Sequence, residues 1–159
     1  MGSYHAKLGP SSAHRWTSCT ASPDAQEGIP NESNEASRRG TACHQMLEEM
    51  LLNPSIDPQS YLGRTLVFLE DGEVWAEPGK DAHVTIDQEL IDISTTAVNY
   101  VRERVALTGA EMLVERAVPI GQFTGEEGAT GRTDVTLVYG TTVEVIDLKA
   151  GRGRVDAYD

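Results

Sequence analysis

The sequence predicts an α/β fold in which helices flank a mixed, mainly antiparallel sheet. Two segments, residues 34–52 and 87–107, carry apolar side chains at the spacing of one helix face. Later in the chain, Gly140-Thr141 separates two runs rich in β-branched and aromatic residues, which is typical of a hairpin. A strand-like run at 111–120 precedes this hairpin. Because these three strands are close in sequence, we expect an antiparallel meander.

Length, charge and hydropathy restrict the class of protein. A chain of 159 residues suits one domain with its own core. No apolar run approaches the roughly 18 residues of a membrane span, and the N-terminus lacks a signal-peptide core, so we expect a cytoplasmic protein without a membrane partner. The net charge of −12 argues against a protein that coats nucleic acid by bulk electrostatics. Cys19 and Cys43 have neither disulfide nor zinc spacing and are expected to be buried or half-buried free thiols.

Residues 1–33 are expected to form an extended lead-in, because they are rich in Ser, Pro, Asn and Gly. Within them, the stretch 11–16 is compatible with one helical turn. Ser11 or Ser12 would cap that turn, and Trp16 would anchor it to the rest of the protein. The globular domain is therefore predicted to comprise residues 34–159.

Both predicted helices have recognisable ends. Ser33 or Asn34 can cap the first helix and Pro54 follows its end, whereas Asp87 caps the second and Gly109 ends it. The buried stripe of the first helix is expected to contain Ala36, Cys43, Met46, Leu47, Met50 and Leu51. That of the second is expected to contain Leu90, Ile91, Ser94, Ala97, Val98, Val101 and Val105.

Gly40 lies inside the first helix, where glycine costs up to about 1 kcal/mol relative to alanine. A glycine there suits a site at which a backbone or a phosphate comes close. His44 follows it by one turn and precedes Glu48 by one turn, so the three residues share a face. His44 is therefore either a surface histidine paired with Glu48 or a ligand, and the helix alone leaves both open.

The region between the helices is less informative. Asp71-Gly72, a strong hairpin dipeptide, stands between alternating stretches at 64–69 and 73–77. Neither stretch carries an evident site. We therefore expect residues 64–86 to be a surface insertion.

The register of the last hairpin follows from its turn. If the Gly-Thr pair forms the loop, Tyr139 pairs with Thr142, and Asp134 faces Asp147 across the ladder. Directly opposed residues have Cβ atoms about 4.5–5.5 Å apart, so two carboxylates there need a positive group between them. Lys149 lies two residues beyond Asp147 and points to the same face. Two acids and a lysine at one place predict a site for a divalent metal and a phosphate.

The expected ligands follow from the preferences of the metal. Mg²⁺ prefers oxygen ligands, which Asp134, Asp147 and the backbone carbonyl of Leu148 would supply. Mn²⁺ also accepts an imidazole, which makes His44 a further candidate. The competing explanation is a strand end that reaches solvent, with Asp134 as the surface partner of Arg132.

Three motifs occur in a particular order: G-x-x-x-H at 40–44, G-x-x-D at 131–134 and D-x-K-x-G at 147–151. In this combination the chain resembles the PD-(D/E)XK nuclease superfamily, and within it the RecB- and lambda-exonuclease-like branch. The segments 11–19 and 35–44 are similar to a phage- and prophage-encoded group of that branch.

The resemblance implies a restriction-endonuclease-like core and metal-dependent hydrolysis of phosphodiester bonds in DNA. The expected activity is that of an exonuclease in phage recombination or DNA end-processing. His44, Asp134 and Asp147 would bind Mg²⁺ or Mn²⁺, and the two aspartates with Lys149 would carry the catalysis. Lys149 would orient or help to deprotonate the attacking water. Glu115, on the preceding strand, would be an auxiliary acid or an ordinary surface residue.

The expected partner is DNA, with Arg132, Arg152 and Arg154 as the residues that contact it. A homo-oligomer or a phage recombination protein is the expected protein partner, because it would supply positive surface that this acidic chain lacks. The expected location is the cytoplasm of a bacterial or phage-infected cell.

The branch that the chain resembles continues past the D-x-K strand into a helix with Gln and Tyr and then a further strand. The sequence stops at Asp159, so the nuclease-like domain 34–159 is expected to be truncated and to lack both elements. This leaves a second hypothesis: a catalytically inactive nuclease-like domain that binds DNA or a protein. Some relatives also hold an iron–sulfur cluster with one N-terminal and three C-terminal cysteines, of which Cys19 matches only the first.

Overall fold

The computed structural model describes residues 7–27, 34–69, 72–77 and 83–150. Within these ranges the α-helices are α1 (Ala13–Ser18), α2 (Ser22–Ala25), α3 (Glu35–Leu52), α4 (Gln88–Thr108) and α5 (Gly121–Thr124). The strands are β1 (Thr65–Leu69), β2 (Gly72–Trp75), β3 (His83–Thr85), β4 (Glu111–Pro119), β5 (Thr130–Tyr139) and β6 (Thr142–Ile146). Among the described helices, none combines the length and the apolar character needed to cross a membrane.

The two long helices begin and end where the sequence predicts. The Asn34 side chain accepts a hydrogen bond from the Ser37 N–H at 2.8 Å, and the Asp87 carboxylate accepts one from the Leu90 N–H at 3.0 Å. Gly109 ends α4 in the left-handed region with a φ of 65°, a conformation that glycine adopts without a Cβ penalty. Both helix predictions are therefore confirmed.

Helices α3 and α4 lie side by side and run in the same direction. Cys43 Sγ donates to the Leu90 carbonyl at 3.9 Å, and Ser94 Oγ donates to the Cys43 carbonyl at 3.3 Å. Further along the pair, Arg102 Nη2 donates to the Met50 carbonyl at 2.8 Å. These bonds satisfy polar groups inside the interface and determine how α3 is placed along α4.

Two details of the helix and cysteine predictions are wrong. Ala36 is exposed, and Ala42 is buried instead. The reason is that α4 begins beside Arg39, which bonds Asp87 at 2.8 Å, so the first turn of α3 extends past the start of its partner. Among the thiols, Cys43 is buried, which raises its pKa, whereas Cys19 is exposed.

The first sheet has the order β2-β1-β3, with antiparallel pairing throughout. The predicted β1–β2 hairpin is confirmed, since Leu69 pairs with Gly72, although its turn lies outside the described residues. β3 was not predicted. The expectation of a surface insertion at 64–86 is wrong, because Leu66 and Ile86 are each 1% exposed and belong to the main core. Successive side chains of β1 point to opposite faces of the sheet, and those on the inner face pack against the helices.

Glu49 joins this sheet to α3. Its carboxylate accepts hydrogen bonds from Tyr61 Oη at 2.6 Å, Trp75 Nε1 at 2.7 Å and Gln45 Nε2 at 2.8 Å. Burial would raise the pKa of Glu49, but these bonds outweigh it and the pKa lies below its ordinary value. The Arg64 guanidinium lies over the Trp75 ring at 4.5 Å from its centroid.

The second sheet is the predicted antiparallel meander, in the order β4-β5-β6. Tyr139 pairs with Thr142 as the turn predicted, and the ladder ends at the pair Val135–Ile146. Val135 and Leu137 have no exposed surface and pack into the core with the helices. The protein is thus α/β, but the described strands form two antiparallel sheets and not one mixed sheet.

The N-terminal segment, residues 7–27, is not the extended lead-in that composition predicted. Pro10 begins a 3₁₀ turn, a position where its restricted φ favours helix, and α1 follows directly. Ser12 occupies the N-cap of α1 without a side-chain capping bond. Trp16 Nε1 donates to the Gly9 carbonyl at 3.0 Å, so the indole braces the segment itself.

Candidate metal centre

Three side chains from three elements converge at one place. His44 projects from α3, Glu115 from β4 and Asp134 from β5. One imidazole nitrogen and two carboxylate oxygens lie within 4.8 Å of one another. Each residue is partly buried, so the group is reachable from solvent while water screens its charges only in part.

Asp134 is held through both of its carboxylate oxygens. One carboxylate oxygen, Oδ1, is 3.2 Å from His44 Nδ1, and the other, Oδ2, accepts a hydrogen bond from the Leu148 N–H at 2.6 Å. Its side chain is only 13% exposed. The sequence left His44 between a pairing with Glu48 and a role as a ligand, and the fold turns the imidazole to Asp134.

The proton affinities of the pair move in opposite directions. Burial would raise the pKa of Asp134, but the hydrogen bonds from His44 and the Leu148 N–H outweigh it and hold the pKa below its ordinary value. The hydrogen bond to Asp134 raises the pKa of His44, against the opposing effect of burial. The imidazole and the carboxylate are therefore held together by a hydrogen bond that favours the charged form of each group.

Glu115 stands opposite Asp134 in the β4–β5 ladder, between the pairs Val114–Val135 and Arg116–Thr133. Pairing is interrupted at this one position, where Glu115 has a φ of 49°. A positive φ is strained for a residue with a Cβ, and such strain is often found at functional sites.

The surroundings of Glu115 are unfavourable to its charge. Burial, followed by the nearby charges of Asp134 and Glu48, raises the pKa of its carboxyl. The Arg132 guanidinium, 70% exposed, lies 3.6 Å from Glu115 Oε2 and opposes that effect. The sequence treated Glu115 as an auxiliary acid or a surface residue. The register of β4 against β5 was the signal that would have placed it opposite Asp134.

Asp147 and Lys149 follow β6 instead of extending it. The carboxylate and the ammonium lie 2.5 Å apart, and their side chains are 47% and 58% exposed. Because the β5–β6 ladder ends at Ile146, Asp147 does not pair with Asp134. The Leu148 N–H bonds the Asp134 carboxylate instead. Asp147 lies outside the close group formed by His44 and its two acidic neighbours.

The remaining predicted residues are placed as follows. A Cβ at Gly40 would meet no other atom within 4 Å, so the helix face one turn before His44 is open. Arg132 lies beside the site, paired with Glu115. Arg152 and Arg154 lie outside the described residues.

A protein-family profile described as "Protein of unknown function (DUF2800)" matches residues 5–159. The chain belongs to the DUF2800 family. No solved structure matches the chain of this DUF2800 protein.

The donor set of the DUF2800 protein suits a divalent metal ion. One imidazole nitrogen with two carboxylate oxygens is a combination that Mn²⁺ accepts, whereas Mg²⁺ prefers oxygen alone. Glu115 and Asp134 also repel each other at short range, and a cation between them would remove that repulsion. The group is therefore chemically suited to hold such an ion.

Proposed function

We propose that this DUF2800 protein is a metal-dependent DNA nuclease of the PD-(D/E)XK type, an exonuclease that acts in phage recombination or DNA end-processing. The observation that carries the proposal is the convergence of His44, from a helix early in the chain, with Glu115 and Asp134 from two adjacent strands near its end. Two of the three belong to the motifs on which the resemblance rests. A restriction-endonuclease-like core is part of the same proposal.

His44, Glu115 and Asp134 would hold Mn²⁺ or Mg²⁺, and Asp147 with the carbonyl of Leu148 would complete the ligand set. The ion would lower the pKa of a bound water and polarise the scissile phosphate. The role of the Leu148 N–H is to keep Asp134 turned toward His44.

Lys149 is the candidate catalytic lysine. Its ammonium is more than half exposed and is held by Asp147, outside the close ligand group. From there it would orient the attacking water or balance the charge that develops on the phosphate. This assignment separates two roles: the ligands bind the ion, and Lys149 acts on the transition state.

DNA is the proposed substrate and partner. Arg132 is exposed next to Glu115, and the open helix face at Gly40 leaves room for a phosphate near His44. Arg152 and Arg154 extend the proposed contact along the sequence. A homo-oligomer or a phage recombination protein would add positive surface, and the bacterial or phage-infected cytoplasm is the proposed location.

The experiment is digestion of linear and circular DNA with Mn²⁺ or Mg²⁺. We expect linear DNA to be degraded from its ends with either ion, and Asp134→Ala or Asp147→Ala to abolish the cleavage. Asp92→Ala, on the exposed face of α4, is the matched control and should keep full activity.

The competing function is a catalytically inactive domain that binds DNA or a protein. The pairing of Asp147 with Lys149 and the net charge of −12 favour it, because both reduce the positive charge offered to a phosphate. Wild-type protein that retains DNA in a filter-binding assay but cleaves none with either ion would support this function and overturn the nuclease.

A further inference from the structure

The candidate centre lies at a boundary within the β4–β5 hairpin. On one side, Met112, Val114 and Val135 pack against the main core. On the other side, the outer hairpin (residues 116–133) contributes no residue to that core within the described structure. The interrupted pairing at Glu115 separates the two parts, so among the described residues the outer hairpin does not share the core that α3 and α4 form.

The N-terminal segment contacts the outer hairpin instead. The Lys7 N–H donates to Glu126 Oε1 at 2.9 Å, and the Leu8 N–H donates to Glu126 Oε2 at 3.2 Å. Two backbone donors on one carboxylate form charge-assisted hydrogen bonds with a defined direction. Glu126 is at the turn that leads into β5.

A second contact lies closer to the centre. A Cβ at Gly131 would lie 2.8 Å from Pro10 Cγ, so the proline ring occupies the space that a side chain would need. Gly131 precedes Asp134 by three residues in the same strand, a distance of about 10 Å. The contact therefore explains the glycine of the G-x-x-D motif by packing within the chain.

The N-terminal segment is braced so that it can act as a unit. The Lys7 ammonium lies 2.6 Å from Asp24, and Trp16 Nε1 bonds the Gly9 carbonyl at 3.0 Å. The first bond spans the segment, and the second holds α1 against the turn at Pro10. The two bonds connect Lys7 and Gly9, which lie beside the contacts with the outer hairpin, to α2 and α1 of the same segment.

We propose that the N-terminal segment is a clamp that positions the metal ligands. By holding Glu126 and Gly131, it holds the outer hairpin, and thereby keeps Asp134 and Glu115 at the spacing that a cation needs. Pro10, Glu126 and Gly131 are positioning residues. The consequence for metal binding rests on the proposed function, whereas the ordering of β5 does not.

The first test measures that ordering without metal. The Leu148 N–H has the Asp134 carboxylate as its acceptor, so its hydrogen exchange reports directly on the placement of Asp134. We expect Glu126→Gln and Gly131→Ala to accelerate exchange of the Leu148 amide by about tenfold, the factor for 1.4 kcal/mol of lost protection. Glu127→Gln, at the exposed neighbouring glutamate, is the matched control and should leave exchange unchanged.

The second test measures Mn²⁺ binding by calorimetry. We expect Glu126→Gln and Gly131→Ala to weaken Mn²⁺ binding about tenfold, as is typical when groups that orient metal ligands are lost. Pro10→Gly removes the ring that lies against Gly131 and should weaken Mn²⁺ binding in the same direction, because the N-terminal segment then loses that contact. A variant that binds Mn²⁺ less tightly but unfolds at the same denaturant concentration as wild type has lost positioning and not the stability of the whole fold.

The outcomes separate the two proposals. If wild-type protein binds no Mn²⁺ but the variants still accelerate Leu148 exchange, the metal centre fails and the clamp stands. If tryptic cleavage at Arg15 shows that the variants release the segment, yet Leu148 exchange and Mn²⁺ affinity stay at wild-type values, the clamp is overturned.

Discussion

Glu115 stands opposite Asp134 at the single position where the β4–β5 ladder is interrupted, and it does so with a φ of 49°. The two carboxylates come from strands that are adjacent in the sheet, and His44 reaches them from α3. Backbone strain and charge repulsion thus occur at the same position of the β4–β5 hairpin. This coincidence is the clearest mark of a site in the described structure.

The strain at Glu115 can be measured by comparing two substitutions. Glu115→Gly and Glu115→Ala both remove the carboxylate, so they differ only in the backbone. Glycine adopts a positive φ freely, whereas alanine there costs about 1–2 kcal/mol. We expect Glu115→Gly to unfold at higher denaturant concentration than Glu115→Ala. In an ordinary strand the alanine variant is more stable than the glycine variant. If Glu115→Ala unfolds at the higher denaturant concentration, the strained backbone at Glu115 is contradicted.

Lys149 is expected to act on the chemical step and not on metal binding. Lys149→Ala should lower the rate of DNA cleavage by about 10²–10³-fold, the loss typical of a group that stabilises developing charge. Binding of Mn²⁺, measured by calorimetry, should persist because the ammonium is not a ligand. Lys149→Arg keeps the charge and serves as the comparison. An unchanged cleavage rate in Lys149→Ala would remove the lysine from the mechanism.

Gly40 provides a test of where DNA approaches. A methyl group at this position meets no atom within 4 Å, so Gly40→Ala should stabilise α3 by about 0.5–1 kcal/mol in chemical unfolding. If a phosphate passes over this face near His44, the same methyl group should raise the KM for DNA. A stabilised variant with an unchanged KM would place the DNA elsewhere.

Glu49 predicts a defined dependence of stability on pH. In the folded protein the pKa of Glu49 lies below the ordinary value of 4.5. The stabilisation by the ionised carboxylate is therefore fully present above about pH 4.5 and is lost as the pH falls through the folded pKa. Glu49→Gln should lower the free energy of unfolding at pH 7 by about 1–3 kcal/mol, because hydrogen bonds to a charged acceptor are lost.

The matched measurement is chemical unfolding of wild type and Glu49→Gln from pH 7 to pH 3. The difference in free energy of unfolding between the two proteins should narrow below about pH 4.5, the ordinary pKa of a glutamate. Glu73→Gln, on β2, is an exposed control that should follow the wild type. If this difference in free energy of unfolding stays constant down to pH 3, the charge of Glu49 does not contribute to stability.

Features governed by local interactions were predicted correctly from the sequence. Asn34 and Asp87 cap their helices because a side-chain oxygen reaches an N–H three residues away, and this geometry needs no distant partner. The turn between Tyr139 and Thr142 likewise sets the register of the last hairpin. Helix caps and hairpin turns depend on residues only a few positions apart, so they can be predicted directly from the sequence.

The candidate site was predicted only in part. His44 and Asp134 were identified by their motifs, but nothing local indicates that the imidazole turns to Asp134 and not to Glu48. The opposition of Glu115 to Asp134 depends on the β4–β5 register. Asp147 leaves the ladder because β6 ends at Ile146, which the residue pattern does not reveal.

Residue spacing, caps and turn residues predicted the two long helices, the final hairpin and the residue types from which a metal centre can be built. Which of these residues meet depends on the tertiary structure. It placed Leu66, Val84 and Ile86 in the core, put Glu115 opposite Asp134, and set Pro10 against Gly131. These are contacts between residues far apart in the chain, and their energies depend on burial and distance that arise only when the whole fold has formed.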